Sequence, residues 1–457
     1  MPQQVIVIVY FLAIIGIGVW SKRRAGSQNG FFVAHRSGTL PLITGSLVAT
    51  AIGGSALVVT ASLGFDQGLT GAWWLLVGSI GLVLLGIFFA KKVRGTALYT
   101  LPELLEKQYD RHVSLAASIL IVIAWIGVVA GQIIAAGSFL SILGIGSATF
   151  WMVVFTSVVV IYTILGGQFS VIRTDLFQAA ILFVGIFATL AVVSSQVGGF
   201  SELKASLSPD YFSFPLSPKF NWKMLLSFLI LVGATYVVGP DMYSRLFCAK
   251  GEKSAQRSTI LSAFLFIPLA FAITLIGMSA KVLYPQIVPD QAFPQVVNGV
   301  LSPGLSGLIL AAVVAALMSS ADTCLLSQSI ILTQDIFKRF NPSSGRNTIL
   351  LTRLSLATLG ILALALALFL KQVYSSLMFA YTIFTCGLVV PVVAGFYKEK
   401  LKVTPRGALA ALIGGGVIGL IGKIPGLDIP LKGDLGLIGF AVSGVLLFGV
   451  SFLDLKR

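Results

Sequence analysis

A cluster of hydroxyl and carboxylate side chains, AALMSSADTCLLSQS, interrupts one of the most apolar parts of this 457-residue sequence. Four of its residues share one helical face, since positions three, four and seven apart do so: Ala316, Ser319, Ser320 and Thr323. Their hydroxyl and carbonyl oxygens are hard ligands that suit an alkali cation rather than zinc or copper. Asp322 flanks this face, and a carboxylate at membrane depth requires a cation, a proton or a hydrogen-bond donor. The alternative is that the hydroxyls only bond back to carbonyls of their own helix.

The composition of the chain indicates a polytopic membrane protein. Hydrophobic residues make up 57% of the sequence and charged residues 10%. About 20 apolar residues span a bilayer as a helix, and helices are favoured because lipid cannot satisfy open backbone groups. The expected fold class is therefore all-α, with about 13 transmembrane helices. These are predicted near 4–20, 42–63, 71–91, 114–142, 148–166, 174–195, 222–247, 258–284, 303–337, 349–370, 373–396, 405–422 and 435–454.

The basic residues are distributed as a topology signal. Most of the 31 lysines and arginines, including every arginine, fall on alternate loops if the N-terminus is outside and the C-terminus inside. The predicted outer loops carry only lysines: Lys204, Lys219, Lys223, Lys281, Lys371, Lys423 and Lys432. The net charge of +15 is therefore explained without a nucleic-acid partner.

The spans predict one transporter domain, 1–457, with an internal repeat. Setting aside an extra first helix, 4–20, and two additional helices, 405–454, leaves two groups of five, 42–195 and 222–396. An odd number of spans per group places the second group upside down in the membrane, which is an arrangement typical of transporters.

The first span of each group carries residues that break helices. Gly53 and Gly54 occur in the first group, and Gly239 and Pro240 occur in the second. Proline removes a backbone donor and glycine weakens the helix, so we expect freed backbone groups at both places. Such groups are tolerated at membrane depth where they line a cavity. Close helix packing at small residues is the alternative.

Other polar residues in or beside the spans are ambiguous. Asp175 at the start of the sixth span could cap a helix or hold a second cation. Gln132 could bond a neighbouring helix or contact a substrate. Asp241 and Arg245 are expected at a cytoplasmic helix end, in interfacial or gate ion pairs.

Three segments, GGQFSVIRTDLFQ, AALMSSADTCLLSQSIILTQDIF and GPDMYSRLF, resemble signature segments of the sodium:solute symporter family. The resemblance implies a LeuT-type 5+5 inverted-repeat core. It also implies that Na⁺ binds at the carbonyls of Ala49 and Ile52 and at Ala316, Ser319 and Ser320. A second sodium site of some members would correspond to Asp175, Ser319, Asp322 and Thr323, although this chain has Asp322 and Thr323 where some relatives have two serines.

The resemblance also implies a solute site between the two broken helices. The candidates are Thr50, Ser55, Gln132, Thr235 and Tyr236, with Tyr236 covering the solute from the cytoplasmic side. Proline transporters of the family carry an acid at the position that we align with Ala51, which argues against proline as the solute. We expect no lysine or arginine in the membrane core, which favours neutral or zwitterionic solutes.

The function predicted from these residues is secondary active transport in the cell membrane, coupling sodium influx to uptake of a small organic solute. A proton-coupled carrier using Asp175 or Asp322 is the first alternative, and a ligand sensor or channel is the second. The sequence contains no HExxH or GxSxG motif that would indicate an enzyme. The expected partners are the solute, sodium ions and membrane lipid, with no obligatory protein partner evident.

Overall fold

The computed structural model describes residues 2–22, 26–340, 347–422 and 434–456. Throughout these residues the regular secondary structure is helical, and the β pairing consists of two isolated bridges. Several basic residues used above for topology lie outside the described residues: Arg23, Arg24, Arg346, Lys423, Lys432 and Arg457.

The first ten helices, in the N-terminal half of the chain, include one broken span and one kinked span. They are α1 Pro2–Ser21, α2 Gln28–Val33, α3 Leu40–Ala51, α4 Gly54–Gln67, α5 Trp73–Leu84, α6 Ala90–Gly95, α7 Leu101–Gln108, α8 Arg111–Ser141, α9 Ala148–Val197 and α10 Gly199–Ser206. A π-helical segment, Leu85–Phe89, joins α5 to α6.

The remaining helices complete the core and the C-terminal pair. They are α11 Trp222–Ser227, α12 Ala234–Val238, α13 Pro240–Cys248, α14 Glu252–Leu283, α15 Ala292–Gly299, α16 Pro303–Ile331, α17 Lys338–Phe340, α18 Thr348–Leu370, α19 Val373–Phe384, α20 Val390–Gly395, α21 Lys398–Leu401, α22 Pro405–Ile421 and α23 Leu435–Leu455. Further π-helical segments join α11 to α12, α16 to α17 and α19 to α20.

Each predicted apolar segment is helical in the structure, but some of these segments are not separate long helices. Within the described residues, 10 helical runs are long and apolar enough to cross a membrane. One of these runs, Gly54–Gly95, joins two predicted segments, and so does Ala148–Val197. Leu40–Ala51 and Pro405–Ile421 are apolar but shorter. The number of thirteen spans and the orientation of the termini therefore stay predictions.

Gly167 separates the two predicted spans that α9 contains. Its φ of 53° and ψ of −158° are not helical. A β-carbon at this position would also lie 2.6 Å from Cδ2 of Phe31, so glycine suits both the conformation and the close contact. Asp175 consequently lies about two turns inside the helix that follows Gly167. The interpretation of Asp175 as a helix cap is wrong.

The most buried span is α16, the helix that carries the opening polar stretch. In the apolar window of Gly304–Phe340, 83% of the residues are buried, against 28% for each of the outer helices α1 and α23. Helix α16 packs against α1, α3, α8 and α9. The polar residues of α16 are thus at the centre of the bundle, and large apolar side chains of α1 and α23 cover its outside.

Candidate cation and solute site

The first predicted break is present at the centre of the bundle. Helix α3 ends at Ala51 and α4 begins at Gly54. Between them, Ile52 has φ −95° and ψ 41°, and Gly53 has φ −57° and ψ 160°. A helix leaves its last four carbonyls without donors from its own backbone, so this break creates polar backbone groups inside the protein.

Side chains from two other helices contact the carbonyls at this break. Ser320 Oγ of α16 donates to the Thr50 carbonyl at 2.6 Å. The Tyr236 hydroxyl of α12 donates to the Ala51 carbonyl at 3.4 Å. A β-carbon on Gly53 would lie only 1.9 Å from Ser320 Oγ, so the backbone of the break lies directly against α16.

The predicted sodium-site residues therefore lie in two adjoining elements. Ala49 and Ile52 belong to the end of α3 and to the break, and both are fully buried. Ala316, Ser319 and Ser320 belong to the facing part of α16 and are equally buried. Backbone and hydroxyl oxygens thus come together in a region that water does not reach freely, and such oxygens are ligands for hard cations. Binding of sodium there remains a prediction.

Asp175 lies behind the serine face of α16 and accepts hydrogen bonds from three helices. Ser319 Oγ donates to its Oδ1 at 2.5 Å, and Ser46 Oγ of α3 donates to its Oδ2. The Arg245 Nη2 group of α13 lies 3.0 Å from the same Oδ2. Because the Ser319 proton points at this carboxylate, the hydroxyl lone pairs are free to face another group.

Arg245 lies in the last turn of α13, at a helix end as predicted, but its side chain is buried in the core and not at an interface. Its side chain is 0% exposed, as is that of Asp175. Nη2 also donates to Thr50 Oγ1 at 3.1 Å and to Thr323 Oγ1. The expectation that the membrane core holds no arginine is therefore wrong. Removing one partner of such a buried pair typically costs about 3–5 kcal/mol of stability, because the other charge is left uncompensated.

Asp322 is buried beside this pair and is less completely bonded. Its Oδ1 accepts from Thr323 Oγ1 at 3.2 Å. Its Oδ2 has no hydrogen-bond partner among the described residues. Since Asp175 pairs with Arg245, Asp322 is the acid of this cluster that lacks a cationic partner within the described part of the chain.

A small cavity adjoins the break and collects all five predicted solute residues. Thr50, Ser55, Gln132, Thr235 and Tyr236 line it, together with Trp125, Asp241, Ser320 and Tyr381. Its volume is about 30 Å³. That is room for about one water molecule, whereas sites for organic ligands usually measure 300–1,000 Å³. The helices are therefore closed around the site in this conformation.

Gln132 holds the start of α4 in place. Its Nε2 donates to Ser55 Oγ at 2.6 Å, and its Oε1 accepts from the Ser55 amide at 3.2 Å. The amide side chain thus satisfies a free backbone donor at the N-terminus of the half-helix. Gln132 therefore bonds a neighbouring helix and also lines the cavity, and its contact with a substrate stays a prediction.

Among the cavity residues that were not predicted from the sequence, three are aromatic or charged. Trp125 precedes Gln132 by seven residues on α8, so their shared helical face was a usable signal. Asp241 follows the second break, at Gly239, and was wrongly expected in an interfacial or gate ion pair. Nothing in the sequence around Tyr381 pointed to the cavity.

Comparison with known proteins gives a consistent result along most of the chain. The sodium:solute symporter family model matches residues 31–415. A sodium/glucose cotransporter of Vibrio parahaemolyticus is 26% identical, over 91% of this chain and 82% of its own length. Sodium/glucose cotransporter 2 of Rattus norvegicus is 27% identical, over 93% of this chain and 72% of its own length.

Solved structures share the fold. A Na⁺-coupled sialic acid symporter, in a substrate-bound outward-open state, matches with a TM-score of 0.83 and 21% identity, over 99% of this chain and 98% of its own. Mhp1, a nucleobase-cation-symport-1 family transporter, matches with a TM-score of 0.62 and 13% identity, over 93% and 94% of the two chains. With a family model covering most of the sequence, this chain belongs to the sodium:solute symporter family, whose members are multi-pass membrane transporters rather than enzymes.

Proposed function

We propose that this protein couples sodium influx to the uptake of a small neutral organic solute by alternating access. The observation that carries the proposal is the contact between the first break and the serine face of α16, directly beside the cavity. One structural element thus touches both the candidate cation site and the candidate solute site. The family membership supports sodium as the coupling ion.

The proposed sodium ligands are the carbonyls of Ala49, Ile52 and Ala316 and the hydroxyls of Ser319 and Ser320. The hydrogen bond from Ser319 to Asp175 supports this assignment, since it turns the lone pairs of the hydroxyl away from the carboxylate. Carbonyl and hydroxyl oxygens without a thiol or imidazole suit a hard cation.

Sodium would act by joining the break to the opposite side of the bundle. An ion held by both α3 and α16 stabilises one arrangement of these helices, and the cavity beside them is shaped by the same arrangement. By linkage, a solute that prefers this arrangement must strengthen sodium binding as much as sodium strengthens solute binding. A membrane potential of 100 mV adds about 2.3 kcal/mol for each sodium ion, enough for roughly fiftyfold accumulation.

The cavity favours a neutral solute with hydroxyl or amide groups. Its polar lining includes hydroxyls, the Gln132 amide and the Asp241 carboxylate, and Arg245 is not among the lining residues. An anionic solute would meet this carboxylate, and no cationic side chain of the described residues lines the cavity. The sodium/glucose cotransporters among the relatives agree with a hydroxylated solute.

The repeat architecture is part of the proposal. Both groups, 42–195 and 222–396, begin with a broken span, at Gly53 and at Gly239. The extra first helix, 4–20, and the pair at 405–454 are placed outside these groups. The orientation with the N-terminus outside and the C-terminus inside follows from the loop charges.

A proton-coupled carrier on the same scaffold is the second candidate. The observation that favours it is Asp322, which is buried with an oxygen that has no partner among the described residues. A carboxylate in that position can hold a proton instead of facing a metal ion.

A thermal-shift screen of the purified protein tests the proposal. Sugars, polyols, amino acids and organic acids are each added with sodium and with choline at constant ionic strength and pH. We expect a hydroxylated neutral solute to raise the melting temperature in sodium and to have little effect in choline. A solute that stabilises equally in both salts would contradict coupling to sodium.

Gln132→Leu is the matched variant for this screen. It keeps the size of the side chain and removes both hydrogen bonds to Ser55. We expect the shift caused by the solute to be lost while stabilisation by sodium alone is retained, because Gln132 lines the cavity and the predicted sodium ligands remain. Loss of both shifts in a folded variant would contradict this separation of sites.

A further inference from the structure

Helix α9 lines an apolar groove on the outside of the bundle. One part of this groove lies between α3, α9 and α14 and has a volume of about 480 Å³. A second part, of about 330 Å³, lies between α9 and α16. Ala180 and Val184 line both parts, so the two are continuous. We call this feature, which extends along α9 from Leu176 to Ala188, the α9 groove.

The α9 groove has the length and the polarity of a site for lipid chains. Twelve helical steps separate Leu176 from Ala188, or about 18 Å at 1.5 Å per residue. One leaflet of the hydrocarbon core is about 15 Å thick. Val184 is 69% exposed, so the groove opens towards the surrounding membrane. A chain of one leaflet therefore fits along it.

Thr44 is the only polar side chain that lines the α9 groove among the described residues. It is 5% exposed, and its Oγ1 has no hydrogen-bond partner within the described part of the chain. Buried hydroxyls usually have a partner, so this one indicates a bound group that accepts its proton. Thr44 lies one helical turn beyond Leu40, where α3 begins. A phospholipid carries ester carbonyls at this depth, between its phosphate and its chains.

Arginines stand at the predicted cytoplasmic end of the α9 groove. Arg257 of α14 is exposed and lies four residues before Leu261, on the same helical face. It makes no hydrogen bond or ion pair with the described residues. Arg173 lies three residues before Leu176, and its Nη1 donates to the Phe169 carbonyl at 2.8 Å. An apolar groove thus ends at a positively charged surface.

The acidic residues nearest in sequence to these arginines face elsewhere. Asp175 of α9 is fully buried and accepts from Ser319 inside the bundle. Glu252 begins α14 and lies against α6, since a β-carbon at Gly95 would be 3.0 Å from its Oε1. The charge at the end of the groove is therefore complementary to an anion.

We propose that the α9 groove binds one anionic phospholipid of the predicted cytoplasmic leaflet. The phosphate lies at Arg257 and Arg173, and an ester carbonyl accepts from Thr44 Oγ1. The two acyl chains occupy the two parts of the groove. An anionic headgroup is favoured because the cytoplasmic end carries two guanidinium groups, which attract acidic lipid and repel a choline.

The site includes the membrane-facing side of the first broken span. Helix α3 lines the groove through Thr44 and Val48, and Val48 directly precedes Ala49, a proposed sodium ligand. A bound lipid thus contacts the half-helix whose end forms the break. The inference goes beyond the proposed function and does not depend on it, because lipid binding is measured without sodium or solute.

Native mass spectrometry of the purified full-length protein tests the proposal. The protein is given equal amounts of phosphatidylglycerol and phosphatidylcholine with identical acyl chains, and the retained lipid is counted. We expect one phosphatidylglycerol per protein to remain after phosphatidylcholine has been removed. Equal retention of the two lipids would overturn the proposal, and so would retention of neither.

Arg257→Gln tests the headgroup contact. We expect phosphatidylglycerol to bind at least about fivefold more weakly, while phosphatidylcholine is unaffected. Arg111→Gln is the matched control, because Arg111 is also exposed at the predicted cytoplasmic start of a helix, and α8 lines no part of the α9 groove. Equal losses in the two variants would indicate a general effect of surface charge and contradict the site.

Ala180→Trp tests the groove itself. Ala180 is exposed where the two parts meet, so the indole would fill the groove without entering the core. We expect the preferential retention of phosphatidylglycerol to be lost. Ala365→Trp places the same ring at an exposed alanine of α18 and should leave retention unchanged. Wild-type retention in Ala180→Trp would show that the lipid binds without the groove, which contradicts the proposal.

Discussion

Gly53→Ala should remove most of the sodium response of the protein. The added β-carbon would lie 1.9 Å from Ser320 Oγ and 2.8 Å from Ser320 Cβ, so the break must move away from α16. Overpacking of this kind costs about 1–3 kcal/mol. Because the displaced backbone carries the Ile52 carbonyl, we expect at least about a tenfold rise in the sodium concentration for half-maximal stabilisation, which corresponds to ~1.4 kcal/mol. The melting temperature measured against sodium concentration checks this.

Two controls separate the clash from a general effect of losing glycine. A β-carbon at Gly449 of α23 meets nothing within 4 Å, so Gly449→Ala should leave the sodium response unchanged. The double variant G53A/S320G adds the β-carbon at position 53 and removes the Ser320 side chain that this β-carbon would meet. It should recover stability without recovering sodium affinity, since the Ser320 hydroxyl is absent. Wild-type sodium affinity in a folded Gly53→Ala protein would contradict the proposed location of the ion.

Ser319→Ala should weaken sodium binding through the loss of a proposed ligand. The hydroxyl is buried, donates to Asp175 at 2.5 Å and has its lone pairs available to the ion. We expect the sodium concentration for half-maximal uptake to rise at least about tenfold, or ~1.4 kcal/mol. Uptake of the solute identified by the thermal-shift screen, measured at increasing sodium and constant ionic strength, provides the test.

Ser118→Ala is the matched control for this substitution. Ser118 is also a fully buried helical serine, but its hydroxyl bonds back to the Ser114 carbonyl at 2.8 Å within α8. Its loss should leave the sodium dependence as in the wild type. If Ser319→Ala and Ser118→Ala behave alike, Ser319 is not a ligand and its hydroxyl serves only the packing of α16.

The breaks and the hydroxyl face could be predicted because their causes are local. Gly53, Gly54, Gly239 and Pro240 weaken a helix wherever it lies, and both breaks occur at these residues. The spacing of the hydroxyls on α16 needs only the period of a helix. The five predicted solute residues meet at one cavity because each lies at or opposite a break.

The position of Arg245 could not be derived from the loop charges. That rule assigns a residue by its neighbours in the sequence, and Arg245 lies only five residues before Lys250. Arg245 lies in the last turn of α13, and its side chain extends into the core, where it donates to Asp175, Thr50 and Thr323. These partners are distant in sequence, so only the tertiary structure brings them together.

The place of Asp175 was missed for a different reason. The polar run GGQFSVIRTD delays the predicted start of the span to residue 174, which places Asp175 at the start of a helix. The helix resumes directly after Gly167, where the non-helical backbone angles lie. The glycine pair that opens this run, Gly166 and Gly167, was the available signal for the boundary.

Uptake into proteoliposomes at equal pH on both sides tests the central claim most directly. The solute identified by the screen is supplied with an inward sodium gradient, then with equal sodium on both sides, and then with a proton gradient in the absence of sodium. Our account predicts accumulation with the sodium gradient alone, and only equilibration when sodium is equal. Accumulation driven by the proton gradient without sodium would contradict it and would favour Asp322 as the carrier of the coupling ion.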